Sequence, residues 1–297
     1  MKFIHEFNYG RVSHSANGST IRDFTIIASD QSTKEISPGV KYNVWTFNNT
    51  IPGPTLRATE GDLVRINFIN NGSMFHTMHF HGIHPAEMDG VFEGIAPGGK
   101  FTYEFIAEPF GVFPYHCHIQ PLEEHISHGL YGALIIDPKK PRANADEMVM
   151  IMNGYDTDFD TENNFYTVNG IPYYYMHHPI QIEKDKLIRI YLVNMLEFDP
   201  LNNFHLHANL FHFYKTGTYL VPDEYTDIVT MNQGERGILE FSYKFPGKYM
   251  FHAHKTEFAE KGWMGTFLVT EPENAGIASN ITNITGEITN LTNGGFS

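Results

Sequence analysis

Cysteine is almost absent from this chain of 297 residues: Cys117 is the only one. A lone thiol makes no internal disulfide, so no disulfide framework holds the fold and the sulfur is left for other chemistry. Basic residues are also scarce, with 20 Lys and Arg against 34 Asp and Glu and a formal net charge of −14. That balance argues against nucleic acid and anionic membrane surfaces as partners. No apolar run approaches the roughly 18–20 residues that a membrane-spanning helix needs. The start, Met1 to Glu6, is too short and too polar for a signal peptide.

Histidine is plentiful, with 17 residues, and it is patterned. His76, His79, His81 and His84 fall in one run; His116-Cys117-His118 follows, then His125. A second set contains His205-x-His207 and His252-x-His254. The spacing from His76 to His79 to His81 matches that from Asn202 to His205 to His207, and His116-Cys117-His118 matches His252-Ala253-His254. The flanks agree as well: Gly61 to Asn67 resembles Lys184 to Ile190. A repeat this long means two copies of one domain rather than a solenoid.

Short alternating runs such as Val64-Ile66-Phe68, Phe101-Tyr103-Phe105 and Ile188-Ile190-Leu192 are broken by turn clusters such as Asn48 to Pro54. This is the pattern of an all-β sandwich, and no long amphipathic helix is legible before residue 270. The polar, proline-bounded stretch Pro138 to Ala145 reads as a linker. The expected domains are therefore 1–140 and 145–271, followed by an Asn/Thr/Ile tail at 272–297. In that tail Ile277, Ile281, Ile284, Ile288 and Leu291 follow a 4-3-4-3 spacing, and Asn280, Asn283 and Asn290 each open a glycosylation sequon. Ile at both core positions leans toward three or more strands, whereas the intervening Asn, Thr and Gly favour a flexible stalk.

Imidazole and thiolate are the ligands that select copper and zinc. A blue-copper centre needs one thiolate and two imidazoles with a weak axial ligand, a description that His76, Cys117 and His125 meet, with Leu130 where an axial Met is common. His128 competes with His125, but the spacing to Gly129 and Gly132 fits His125 better. On a strand, residues i and i+2 point to one face, so Cys117 points away from His116 and His118 and one strand serves two sites. The eight imidazoles of His79, His81, His116, His118, His205, His207, His252 and His254 suit three further copper ions. Met148, Met150 and Met152 read as core residues rather than a metal relay.

With these motifs, and with Phe47-Asn48-x-x-Ile51-Pro52-Gly53-Pro54-Thr55-Leu56-Arg57, Met88-Asp89-Gly90-Val91 and Tyr115-His116-Cys117-His118, the chain resembles the multicopper oxidases over residues 40–270. The similarity is narrowest to the two-domain kind related to copper nitrite reductases. It implies two cupredoxin-like Greek-key β-sandwich domains and a laccase-like enzyme that couples one-electron oxidation of a donor to four-electron reduction of dioxygen to water. Four copper ions per chain are implied. The type 1 ion falls to His76, Cys117 and His125, the type 2 ion to His79 and His205, and the type 3 pair to His81, His116, His118, His207, His252 and His254. Asp89 matches an acid that helps deliver protons, whereas Glu257, three residues after His254 where two is more usual, is a weaker candidate that reads better as a surface carboxylate. Asn202, Ala253, Phe258 and Trp263 stand where a second type 1 site would lie, so electrons are expected to enter through domain 1 alone. Leu130 in the axial place is expected to raise the potential.

The resemblance further implies a homotrimer in which domain 1 of one chain meets domain 2 of the next. An extracellular or periplasmic location follows from the chemistry, with a leader already removed. The electron donor stays open among small molecules, metal ions and proteins. A copper nitrite reductase is the rival enzyme, although His79 stands where such reductases carry an Asp and His118 adds a ligand that they lack. A simple electron carrier or copper-storage protein would leave the histidines of the second domain without a role.

Overall fold

In a computed structural model, which describes residues 3–272, the chain forms four β-sheets, two on either side of residue 140. The sequons and the 4-3-4-3 spacing of the tail lie outside the described residues. Helix among the described residues is confined to short turns such as Leu122–Ser127 and Thr256–Glu260, as the all-β expectation requires. In the first half, strands Arg11–His14, Thr20–Ser37, Leu63–Asn70 and Lys100–Ile106 lie side by side, with Val40–Phe47 added to Thr20–Ser37. They face a second sheet ordered Leu56–Thr59, Tyr131–Asp137, Gly111–His116 and His79–Phe80.

The second half repeats the plan, and the repeat is visible in register. His79 pairs with His116 across one sheet, and His205 pairs with His252 across its counterpart. Thr20–Ser37 runs parallel to Leu63–Asn70, as Asp146–Tyr155 runs parallel to Ile188–Asn194. A one-residue slip would turn every imidazole to the opposite face, so register is the feature that the hydrophobic pattern must hold. Along Leu63–Asn70 it does: Val64, Ile66 and Phe68 are fully buried and alternate with partly open residues.

The matching strand Ile188–Asn194 departs from that alternation and is buried at every position. Ile188, Ile190 and Leu192 pack into the core of the second sandwich, together with Met148, Met150 and Met152. Tyr191 and Val193, on the opposite face, pack with Val112, Tyr131 and Ile135 of the first sandwich. A strand covered on both faces reads as continuous rather than alternating. Burial of each such side chain contributes about 1.5–3 kcal/mol, so the two halves are joined by a core of their own.

One polar clamp closes that joint. Arg57, the last residue of the Phe47–Arg57 motif, is buried and grips Asp137 at 2.8 and 2.9 Å and Glu147 at 2.6 and 3.0 Å. Glu147 is also held by Arg189 at 3.1 Å and by the Tyr191 hydroxyl at 2.6 Å. Arg57→Ala leaves two carboxylates short of their partner and is expected to destabilise the protein by about 3 kcal/mol. Urea denaturation of the variant and the parent checks this, and an unchanged midpoint would show that the clamp is dispensable.

Candidate metal centres

The lone cysteine sits among apolar side chains and beside two imidazoles. Cys117 Sγ is fully buried, 3.2 Å from His125 Nδ1 and 3.8 Å from His76 Nδ1. Leu130 is buried in the same cluster, and its carbonyl accepts the Cys117 amide at 3.0 Å. The His76 ring is turned by Asp30, whose Oδ2 accepts from Nε2 at 3.2 Å, so Nδ1 is left facing the sulfur. Asp30 is itself fixed by the amides of Ser73 and Met74. The Thr77 amide donates to the sulfur at 3.4 Å. Burial pushes the Cys117 thiol up to about 11, so a cation is required to hold the thiolate at neutral pH.

The other imidazoles form two quartets. Ring contacts of 5.2–5.8 Å join His79, His81, His116 and His118, and contacts of 5.0–6.0 Å join His205, His207, His252 and His254. In both, two of the four rings are tied to the backbone through Nδ1. His79 Nδ1 donates to the Asp89 carbonyl at 2.8 Å, and His205 Nδ1 donates to the Asp227 carbonyl at 2.9 Å. His116 Nδ1 donates to the Cys117 carbonyl at 2.9 Å, and His252 Nδ1 donates to the Ala253 carbonyl at 2.7 Å. The free nitrogens then converge: His81 and His116 Nε2 lie 3.2 Å apart, and His207 and His252 Nε2 lie 2.9 Å apart. Backbone-fixed tautomers with inward lone pairs are how metal-ligating histidines are held.

Asp89 lies beside the first quartet, with Oδ1 3.2 Å from His79 Nδ1 and 3.7 Å from His84 Nε2. Its loop depends on Gly90, at φ 70°, where a Cβ would fall 2.0 Å from the Met78 carbonyl oxygen. Glu257 is placed differently. Its exposed carboxylate pairs with Lys261 at 2.9 Å and Lys255 at 3.4 Å, and it is absent from the imidazole contacts. The acid behind the second quartet is instead Asp227, with Oδ2 3.7 Å from His205 Nδ1. Spacing gave no hint of it, because Asp89 follows His79 by ten residues and Asp227 follows His205 by 22. Asp30, 46 residues before His76, was equally invisible.

Where the second domain would carry its own sulfur site, the space is filled. Ala253, Phe258 and Trp263 are fully buried, and Trp263 Nε1 donates to Asn202 Oδ1 at 3.1 Å. His128 does not join the sulfur set: its Nδ1 donates to the Asn43 carbonyl at 2.7 Å and its ring stacks on Trp45. His84 donates to the Phe80 carbonyl through Nε2 at 2.8 Å.

The donor set passes the chemical test for copper: one shielded sulfur with two imidazoles, and inward imidazoles with no acceptor to bond. Fold and site define a duplicated cupredoxin-like copper protein. The chain matches the family models for multicopper oxidases over residues 29–141 and 144–273, and it belongs to that family. A solved structure described as a multicopper oxidase is 53% identical, with a TM-score of 0.89, and the match covers 91% of this chain and 96% of that one. A blue copper oxidase from Nitrosomonas europaea is 26% identical, with a TM-score of 0.75 over 84% of this chain and 86% of that one. A copper-containing nitrite reductase from Neisseria meningitidis is 27% identical over 82% of this chain and 68% of its own length.

Burial also sets the charge of the rings. It lowers His81 and His125 to about 4 and His116 to about 3, with neighbouring imidazoles adding to the effect. An unfolded histidine titrates near 6.5, so below that pH the unfolded chain binds more protons than the native one. The stability of the copper-free protein is therefore fully present above about pH 6.5 and is lost as the pH falls toward about 4. Thermal unfolding of copper-free protein should show a lower Tm at pH 5 than at pH 7.5. Equal values would mean that these rings do not fold in the neutral state.

Proposed function

We propose that this chain is a laccase-like multicopper oxidase that takes single electrons from a reducing donor and reduces dioxygen to water. The observation that carries the reading is the pair of equivalent imidazole quartets, one on each domain, each with two rings oriented through backbone-bonded nitrogens. In this reading His76, Cys117 and His125 hold a type 1 ion, His79 and His205 a type 2 ion, and His81, His116, His118, His207, His252 and His254 the type 3 pair. Copper so bound supplies the redox chemistry: electron acceptance at the sulfur and dioxygen reduction among the imidazoles.

The protein's own part is positioning and proton supply. His116 and Cys117 are neighbours in the chain, and the His116 ring donates to the Cys117 carbonyl, which leaves a short bonded path from sulfur to quartet. Asp89 is partly open to solvent and stands within 3.2–3.7 Å of His79 and His84, so it can pass protons from water to the first quartet.

Among the described residues, no ring contact joins a histidine of one quartet to a histidine of the other. Each quartet is instead bordered by exposed apolar side chains: Ile83 follows the first, and Leu210 and Tyr225 flank the second. Two half-sites with apolar rims favour closure between chains, and a head-to-tail contact that closes gives a ring. We take that ring to be a homotrimer in an extracytoplasmic location. Relatives named nitrite reductases support the rival activity, but His79 in the place of an Asp, together with the added His118, favours oxygen.

Cys117→Ser should abolish the blue absorption while the imidazole copper stays bound, as checked by visible spectra and metal analysis. A variant that stays blue would refute the sulfur assignment. Light scattering at micromolar concentration should give the mass of a trimer. A monomer with a complete imidazole copper set would contradict closure between chains.

A further inference from the structure

The core that joins the two sandwiches contains a buried polar spot. On strand Asp146–Tyr155 the side chains of Val149, Ile151 and Tyr155 pack into that core, and Asn153 lies between Ile151 and Tyr155 on the same face. Thr167 is the partner of Asn153 on the neighbouring strand Phe165–Val168, so the two share that face. Tyr131 enters the same core from the first sandwich. All three side chains are fully buried.

Nearby polar groups are paired. Asn169 accepts the Ile151 amide at 2.9 Å, and it donates to the Val149 carbonyl at 2.9 Å and the Tyr175 hydroxyl at 3.0 Å. The Tyr155 hydroxyl donates to the Gly170 carbonyl at 3.0 Å. At the polar spot the opposite holds. The Tyr131 and Thr167 hydroxyls, and both the oxygen and the nitrogen of the Asn153 amide, have no hydrogen-bond partner among the described residues. Burial pushes the Tyr131 hydroxyl well above its ordinary range, and the Asn153 amide beside it acts against that shift. The phenol therefore stays neutral and faces the amide without completing a hydrogen bond to it.

Buried amides and hydroxyls left unpaired are costly, and proteins satisfy them with ordered water where no protein group reaches. Polar groups that face each other beyond direct bonding are bridged in this way. The donors and acceptors also select the ligand. The Asn153 oxygen only accepts and would repel an anion, whereas its nitrogen only donates and would repel a cation. Water serves both, and the two hydroxyls can meet it in either sense.

We propose that Tyr131, Asn153 and Thr167 form a sealed site for ordered water that bridges the two sandwiches. Tyr131 lies opposite His116 in register, so the bridge ties the second sandwich to the strand pair that carries this imidazole. The site does not depend on which ion the imidazoles hold.

Two variants of the full chain give opposite signs for a wet and a dry core. Asn153→Leu keeps the approximate size of the side chain while removing its donor and acceptor, and Tyr131→Phe removes one hydroxyl. With water in place, each variant leaves that water short of a partner, and the Tm should fall by roughly 3 °C or more. In a dry core the same changes remove unpaired polar atoms, and the Tm should rise or hold. If either variant fails to fold, a crystal structure of the parent decides: it should show water density within hydrogen-bond distance of Asn153 and Tyr131. A site without water density, a halide found there after a bromide soak, or a Tm that is unchanged or raised in either variant overturns the proposal.

Discussion

Successive side chains on an extended backbone point to opposite faces, and at His116-Cys117-His118 this alternation ties the whole structure together. It sends one sulfur into the apolar core of the first sandwich and two imidazoles to the outer face. Everything on the sulfur side is dry: Met78, Phe80 and Leu130 are buried around it, and its own proton is held tightly until a cation replaces it. On the imidazole side His118 is partly open, and His116 is anchored by a carbonyl oxygen. Two different metal environments thus arise from adjacent residues, without any flexible connection between them.

The duplication explains why the second domain keeps one environment and loses the other. Its imidazole face is retained almost contact for contact, down to the carbonyls behind His205 and His252 that match those behind His79 and His116. A dry sulfur pocket without its metal would be a cavity, and cavities in a packed core are destabilising. Trp263 and Phe258 fill that volume, and Asn202 satisfies the indole N–H. The apolar face of Ile188–Asn194 has been turned to a further use, covering the joint with the first domain.

Much of this was legible in the residues. The all-β character, the repeat and the grouping of the histidines follow from period-two alternation and from spacing, both of which are local signals. The contacts that aim the rings are not local. Asp30 reaches His76 from another strand, Asp227 reaches His205 from a later turn, and Arg57 clamps two carboxylates beyond residue 130. Glu257, whose spacing after His254 already favoured a surface carboxylate, is exposed and pairs with Lys255 and Lys261. The Trp45 and His128 stack could not be inferred, because it requires knowing that the strand Val40–Phe47 meets the end of the helical turn Leu122–Ser127.

The central claim is that one sulfur set and two imidazole quartets together make a complete oxidase. Counting copper per polypeptide by native mass spectrometry, with oxygen uptake and nitrite consumption followed on the same sample, tests it most directly. The account predicts about four ions per chain, as one sulfur-bound ion plus three among imidazoles requires, with oxygen consumed. About two ions per chain with nitrite consumed and oxygen untouched would contradict it.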